Sequence, residues 1–212
     1  MPFDLAVIDL DNTLYAAESG VFARMDKRMT AYVANELNID PKTANELRVK
    51  YWKEYGTTLR GMMLHHGMEP EGFLFDVHNI NAHELLKMDE ALDVALARLP
   101  GRKVIHTNGI REHAERILEA LGLLHHFERI YDIRFNNYIP KPSQETLAML
   151  IKEEGSTAER TIVVDDMPDN LAVAAALGCK TVWITHKHDP QTNEGRWDYH
   201  LPSFHSLPDH FI

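Results

Sequence analysis

The 212-residue chain carries 22 lysines and arginines against 32 aspartates and glutamates, so its formal net charge is −10. This balance argues against non-specific binding to nucleic acid or to an anionic membrane, because both attract cations. A single cysteine, Cys179, excludes an internal disulfide and fits a reducing compartment. We expect a cytoplasmic globular protein without a leader peptide or membrane span. Composition leaves the oligomeric state open.

The first predicted element is a buried strand at residues 5–8, which ends at the run Asp9-Leu10-Asp11-Asn12-Thr13. Residues two apart on a strand point the same way. Asp9 and Asp11 should therefore face one crevice at the carboxyl end of the strand, where open α/β sheets bind ligands. Two carboxylates this close repel each other unless a cation separates them or one holds a proton. The run favours a Mg²⁺ site with a nucleophilic carboxylate, although a polar loop that caps a helix has the same residues.

The stretch from about residue 18 to 90 has apolar residues at helical spacing. Asp40-Pro41 is typical of an N-cap followed by proline at the first helical position, and Pro70 is predicted to open a later helix. The return to the next strand is expected near residues 79–82. The apolar positions that mark four helices are Val21, Phe22, Met25, Met29, Tyr32, Val33 and Leu37, then Ala44, Leu47, Tyr51, Trp52 and Tyr55, then Leu59, Met62 and Met63, and finally Phe73, Leu74 and Val77.

From about residue 89 the pattern alternates between helix and strand. Strands are predicted at 103–107, 130–135, 161–165 and 181–185. The helices between them have expected boundaries at Pro100-Gly101, Gly122, Ser143, Gly155, Pro168 and Gly178. The alternation predicts an α/β fold with a mostly parallel, Rossmann-like sheet that is covered by helices on both faces.

The helical stretch would then be inserted into the α/β core. We predict a core formed by residues 1–17 and 89–212, and an all-helical insert formed by residues 18–88. The hinges of this insert should lie near residues 17 and 88. An insert that closes over a site excludes bulk water and completes the site.

Three later segments place further polar groups after predicted strands. Thr107-Asn108-Gly109 follows the second strand, and a strand-to-helix turn presents free N–H groups that bind phosphoryl oxygens. Lys141 precedes a proline and a predicted helix, where it could neutralise an anion or be a solvated surface lysine. Asp165 and Asp166 end the fourth strand and add carboxylates to the same edge.

The order and spacing of these four segments resemble the haloacid dehalogenase-like (HAD) superfamily from residue 5 to about 185. Asp11 resembles the phosphatase and phosphomutase branches, since the dehalogenases lack an aspartate there. The run from Asp9 to Tyr15, with Gly20, and the segment Tyr51–Gly56 followed by Leu59-Arg60-Gly61 resemble the pyrimidine 5'-nucleotidase family.

The resemblance implies the role of each candidate in catalysis. Asp9 would attack phosphorus and form an aspartyl-phosphate. Asp11 would protonate the leaving alcohol and then deprotonate the attacking water, so its surroundings should raise its pKa above the ordinary ~3.9. Thr107 and the amides of Asn108 and Gly109 would bind phosphoryl oxygens. Lys141 would neutralise phosphoryl charge and hold Asp9.

The resemblance also implies that residues 18–88 form an all-helical cap over the active site, and it implies a Mg²⁺ site and a substrate contact. Asp9, the backbone carbonyl of Asp11 and Asp166 would hold the metal, and Asp165 would either be a ligand or accept a hydrogen bond from metal-bound water. Arg60 is the one expected substrate contact in the helical cap. Asp169 could be a metal ligand or simply favour a helix N-terminus.

The expected partner is a small phosphate ester, a pyrimidine nucleoside 5'-monophosphate above all. The sequence leaves other leaving groups open, including sugar phosphates, phosphoglycolate, flavin and pyridoxal phosphates, as well as a phosphomutase and a catalytically silent binding module. The 13 histidines include the adjacent pairs His65-His66 and His125-His126. Adjacent residues do not share a helix face and no Cys or Glu lies at zinc-ligand spacing, so we expect surface or helix-end histidines.

Overall fold

A computed structural model describes residues 3–186 and 196–211 of the chain. Within these residues six strands form one sheet in the order β3-β2-β1-β4-β5-β6, and all neighbouring strands are parallel. The strands are β1 Leu5–Ile8, β2 Arg102–His106, β3 Arg129–Tyr131, β4 Thr161–Asp165, β5 Lys180–Ile184 and β6 Tyr199–Leu201. The predicted parallel α/β sheet is confirmed.

Four of the described α-helices lie between β1 and β2 in sequence before a fifth leads into β2. These are α1 Val21–Leu37, α2 Pro41–Tyr55, α3 Thr58–His66, α4 Pro70–His78 and α5 Glu90–Arg98. The remaining helices alternate with the strands and are α6 Arg111–Leu121, α7 Gln144–Glu153 and α8 Pro168–Leu177. The positions agree with the predicted helical stretch, and its separation from the core as a cap stays a prediction.

Strand β1 lies at the centre of the sheet and is buried along its whole length. Ala6 and Ile8 pack into one hydrophobic cluster, whereas Leu5 and Val7 pack into another. A strand with helices over both faces must be apolar at every position, which explains the uninterrupted run. Ile8 pairs with Ile105 of β2 and with Val164 of β4, so these three strands end at one edge.

Local hydrogen bonds begin and end the helices as expected from the sequence. The Asp40 side chain accepts from the N–H groups of Lys42 and Thr43 at the start of α2. Ser143 accepts from the N–H of Thr146 at the start of α7. These caps satisfy donors that have no partner inside the helix, so short-range sequence is sufficient to place them.

Two parts of the sheet differ from the prediction. Strand β3 ends at Tyr131, whereas the apolar pattern predicted a strand over residues 130–135. The Asp132 carboxylate accepts from the N–H groups of Arg134 and Phe135, which turns the chain out of the sheet. Strand β6 was not predicted, because three residues are too few to show an alternating pattern.

Helices α2 and α3 approach each other closely at Gly61. A Cβ atom on this residue would lie 2.2 Å from the Tyr51 ring, so only glycine fits there. Helix α4 is tied to the loop after β3, since Glu71 accepts from two nitrogens of Arg134 at 3.0 and 2.8 Å. No helix in the described ranges has the length and apolar character that a bilayer crossing requires.

Candidate active site

A cavity of about 1140 Å³ lies over the carboxyl ends of the central strands. Its floor is formed by residues that follow β1, β2 and β4, and its walls come from helices α1–α4. The lining includes Asp9, Asp11, Asn12, Arg60, Thr107, Asn108, Gly109, Lys141, Asp166 and Asp169. The structure thus brings together nearly every predicted site residue. Asp165 is buried immediately beneath this floor, where it contacts Lys141.

Asp9 is buried at the end of β1, and both of its carboxylate oxygens are held. Oδ1 accepts from Lys141 Nζ at 2.7 Å, and Oδ2 accepts from the Thr13 hydroxyl at 2.8 Å. Burial, reinforced by the nearby charge of Asp165, outweighs Lys141 and raises the pKa of Asp9 to about 7. Both oxygens of Asp9 are therefore held in place, and the one lysine beside them does not offset the effect of burial on the pKa of this carboxyl.

Lys141 is a buried residue, so its alternative interpretation as a solvated surface lysine is wrong. Its ammonium donates to Asp9, to Asp165 Oδ2 at 3.0 Å and to the His106 carbonyl at 2.8 Å. Burial disfavours the charged amine, but Asp165 and Asp9 outweigh burial and raise the pKa of Lys141. The Asn108 side chain accepts from the Lys141 N–H at 2.7 Å, which positions the backbone of the lysine.

The two aspartates at the end of β4 have different environments. The Asp165 carboxylate accepts from Lys141, from the Met167 N–H at 2.8 Å and from Asn170 Nδ2 at 2.9 Å. No other residue within 3–186 and 196–211 donates a hydrogen bond to the Asp166 carboxylate. Burial, followed by the charges of Asp9 and Asp165, raises the pKa of Asp166 to about 8. Asp166 is the freer of the two to bind a cation.

The donor set fits a hard divalent cation. Asp9, Asp165 and Asp166 each offer a carboxylate oxygen, and these atoms lie within 4.8 Å of one another. Asn12 Oδ1 is buried in the same lining without a hydrogen-bond partner among the described residues. An oxygen-rich site with several carboxylates suits Mg²⁺.

Two residues that the sequence did not single out contact Asp11. Both the Tyr15 hydroxyl and His113 Nε2 donate to Asp11 Oδ1, the latter at 3.0 Å. Burial would raise the pKa of this carboxyl, but the charge and hydrogen bond of His113, with the bond from Tyr15, lower it below its ordinary value. The expectation that the surrounding residues raise the Asp11 pKa is therefore wrong.

His113 is completely buried, and its Nδ1 has no hydrogen-bond partner among the described residues. Its ring lies 4.9 Å from that of His78, the last residue of α4. One signal in the sequence points to it, since His113, Ile117 and Leu121 recur at helical spacing on the apolar stripe of α6. A polar residue on such a stripe needs a buried partner, which here is Asp11.

The predicted phosphate-binding turn and Arg60 differ in their hydrogen-bond partners. Gly109 N–H donates to the Thr107 hydroxyl at 2.9 Å, so these two groups are paired with each other across the turn. Arg60 lies in the first turn of α3 and faces the cavity. Its guanidinium has no hydrogen-bond or ion-pair partner in the part of the chain that the structure describes, so it is a free cation in the cavity wall.

The chain is similar in sequence to a yeast protein. Phosphate metabolism protein 8 of Saccharomyces cerevisiae is 25% identical over 187 residues, which is 80% of this chain and 58% of that protein. The chain thus spans little more than half the length of this relative.

Solved structures share the fold. A HAD phosphatase from Thermococcus onnurineus has a TM-score of 0.67 and 18% identity, covering 98% of this chain and 97% of its own. L-2-haloacid dehalogenase from Xanthobacter autotrophicus has a TM-score of 0.64 and 15% identity, covering 99% and 98%. A magnesium-bound HAD hydrolase from Bacillus subtilis has a TM-score of 0.65 and 15% identity, covering 99% of each chain. At this identity the likeness shows the fold alone.

Residues 3–178 match the sequence profile of the haloacid dehalogenase-like hydrolases. This range contains both acidic segments and Lys141, and of the sheet it excludes only strands β5 and β6. The acidic crevice, the parallel sheet and the sequence match agree with one another. The chain belongs to the haloacid dehalogenase-like hydrolases.

Proposed function

We propose that the protein is a Mg²⁺-dependent phosphomonoesterase that acts through an aspartyl-phosphate on Asp9. The observation that carries this proposal is the pairing of Asp9 with Lys141 beside the free carboxylate of Asp166. Phosphoryl transfer depends chiefly on positioning and charge neutralisation, and this cluster supplies both. Release of phosphate from a panel of esters, with and without Mg²⁺, is the experiment that tests it.

The reaction has two steps in this site. Asp9 attacks phosphorus, the bond to the ester oxygen breaks, and the departing alkoxide takes a proton from Asp11. Water then attacks the aspartyl-phosphate and gives a proton to Asp11, which restores Asp9. The contacts of Asp11 with His113 and Tyr15 favour the ionised carboxylate, which is the form that the second step requires. The first step requires the protonated form, which the negative charge of a bound phosphate ester would favour by raising the pKa of Asp11. Lys141 offsets charge on the phosphoryl group and on Asp9.

Mg²⁺, when bound, supplies further neutralisation of phosphoryl charge. Asp9, Asp166 and the Asp11 carbonyl are the groups that we propose hold it. Each oxygen of Asp165 already accepts two hydrogen bonds, whereas each oxygen of Asp9 accepts one, so we propose that Asp165 orients Lys141 and water around the metal.

Asp11 also favours a phosphatase over a dehalogenase. A halide leaves as a stable anion and needs no proton, whereas an alkoxide leaving group does. A carboxyl group in the same cavity as the nucleophile is useful only in the second case. The panel should therefore include 2-chloropropionate, from which we expect no halide release.

We propose a pyrimidine nucleoside 5'-monophosphate as the substrate, on the basis of the segment from Tyr51 to Gly61. This segment spans α2 and α3, and its residues Trp52, Tyr55 and Arg60 line the cavity. Aromatic rings can stack on a base, and the free guanidinium can donate to its carbonyl oxygens. Another small phosphate ester remains the alternative for the same chemistry.

Chelation should inactivate the enzyme, and Mg²⁺ should restore it. Asp166→Ala should raise the Mg²⁺ concentration needed for half-maximal rate more than the control Asp169→Ala does, because only Asp166 joins the carboxylate cluster.

Protons compete with the cation for Asp9 and Asp166, whose pKa values are raised to about 7 and about 8. The rise in Tm on adding Mg²⁺ should thus be larger at pH 8 than at pH 6. Full activity after exhaustive chelation rejects the mechanism.

Substrate choice should depend on Arg60. We expect UMP or CMP to have a higher kcat/KM than AMP, GMP or sugar phosphates, because a lost base-specific hydrogen bond costs far more than a lost methylene. Arg60→Ala should reduce this preference more than it reduces hydrolysis of p-nitrophenyl phosphate. An equal loss on both substrates would mean that Arg60 serves the phosphate or the fold. If sugar phosphates have the highest kcat/KM in the panel, the nucleotidase proposal is wrong and the phosphatase mechanism still stands.

His113 should position Asp11 through its Nε2–H. His113→Leu removes this donor and should lower kcat about tenfold to hundredfold with little change in KM, since small misplacements of a catalytic group are costly. His113→Gln keeps an N–H donor and should recover part of the loss. Ile117→Val, on the same buried stripe, is the control that changes packing alone. Equal kcat for the Leu and Gln variants would contradict a positioning role.

We also propose that residues 18–88 act as a cap over this site and that the reaction takes place in the cytoplasm. The cap is supported by the cavity walls that α1–α4 contribute. The location is supported by the lone Cys179, since a single cysteine forms no internal disulfide and fits a reducing compartment.

A further inference from the structure

A second group of metal-ligating side chains lies outside the cavity. His125 and His126 form part of a single 3-10 turn between α6 and β3, and Asp93 lies in α5. Nε2 of His126 is 2.7 Å from Asp93 Oδ1, and Nε2 of His125 is 3.2 Å from the same oxygen. Sequence spacing did not predict this group, because Asp93 is more than 30 residues away and adjacent histidines do not share a face of an α-helix.

In the 3-10 turn, unlike in an α-helix, the side chains of His125 and His126 lie close together. The two imidazole rings have centroids 4.0 Å apart with an interplanar angle of 39°. All three ligand atoms lie within 4.8 Å of one another. Two ligands on a tetrahedral zinc ion are roughly 3.3 Å apart when each bond is roughly 2.0–2.1 Å. The observed separations from Asp93 Oδ1 therefore differ from those of a zinc site by only about half an ångström.

The burial of the three groups suits a site that one ion can enter. The His126 side chain is 11% exposed and is thereby held in one orientation, whereas that of His125 is 64% exposed. The carboxylate of Asp93 is partly exposed and provides the negative charge that two neutral imidazoles lack. Solvent can complete the coordination, because the exposed side of the group faces water.

We propose that Asp93, His125 and His126 form a binding site for a divalent transition-metal ion, with Zn²⁺ as the best match. Two imidazoles and one carboxylate are borderline ligands that prefer such ions to Mg²⁺. The ion would replace the hydrogen bond between His126 and Asp93, and the close approach of His125 to the same oxygen, with three coordinate bonds. It would join α5, which leads into β2, to the turn that leads into β3, and would thus stabilise this side of the sheet.

The test is a calorimetric titration of the whole protein with Zn²⁺ in saturating Mg²⁺, which occupies the catalytic carboxylates. We expect one Zn²⁺ per chain and a rise in Tm that a chelator reverses. Asp93→Asn keeps an oxygen that can accept the hydrogen bond from His126 but is a poor ligand, so it should lower the Zn²⁺ affinity at least about tenfold while leaving the metal-free Tm nearly unchanged. His126→Ala should lower the affinity similarly.

His65→Ala is the matched control, since His65-His66 is an adjacent pair that faces tyrosine hydroxyls instead of a carboxylate. This variant should bind Zn²⁺ like the unmodified protein. The proposal is overturned if no single-site binding occurs, or if Asp93→Asn and His126→Ala bind Zn²⁺ with undiminished affinity. Loss of binding in His65→Ala alone would place the ion elsewhere and overturn it equally.

Discussion

Asp9→Asn is expected to abolish turnover, with a fall in kcat of at least about 10⁴-fold, as removal of a covalent nucleophile typically does. The amide oxygen is a far weaker nucleophile than the carboxylate and cannot form the acyl phosphate. The fold should survive, because Lys141 keeps its bonds to Asp165 and to the His106 carbonyl. Single-turnover phosphate release and a thermal unfolding curve of the same sample measure the two effects together.

Asp11→Asn is the companion variant. It should slow both steps severely, yet it should still bind substrate and Mg²⁺, because the backbone carbonyl and Asp9 are unchanged. Activity of Asp9→Asn comparable to that of the unmodified protein, with a matched unfolding curve, would exclude Asp9 as the nucleophile. Trapping of a phosphorylated protein in Asp11→Asn but not in Asp9→Asn would support the order of steps.

Lys141→Met is expected to cost both activity and stability. The substitution leaves Asp9 and Asp165 buried without their common cation. Removing one partner of a buried ion pair typically costs about 3–5 kcal/mol of unfolding free energy. The loss should be larger at pH 8 than at pH 6, because the pKa of Asp9 is already raised to about 7 and protonation at lower pH relieves the uncompensated charge. Urea unfolding at the two pH values measures the difference.

Two variants separate charge compensation from packing. Lys103→Met, on β2 away from the cavity, replaces a half-buried lysine that has no carboxylate partner within 4 Å among the described residues, and it should change stability little. Asp165→Asn added to Lys141→Met should recover part of the lost stability without restoring turnover. Equal losses for Lys141→Met at both pH values would contradict the explanation that the loss comes from the uncompensated charge of Asp9.

The sequence alone was sufficient for most of the fold and for the residues of the crevice. Strand β1 is apolar at every position because both of its faces are covered, and this apolar run is visible in the sequence itself. Asp40 and Ser143 cap helices through bonds to residues two or three positions away. The edge at which Asp9, Thr107 and Asp166 meet follows from parallel strands, whose carboxyl ends lie on one side.

Only the tertiary structure decided which long-range partners these residues have. His113 is 102 residues from Asp11, and their contact reverses the expected direction of the Asp11 pKa shift. Lys141 becomes a buried cation only because three acceptors from separate segments converge on it. Apolar periodicity and capping residues reflect interactions between residues that are close in sequence. The pKa of a buried group instead depends on burial and on charges that distant parts of the chain supply.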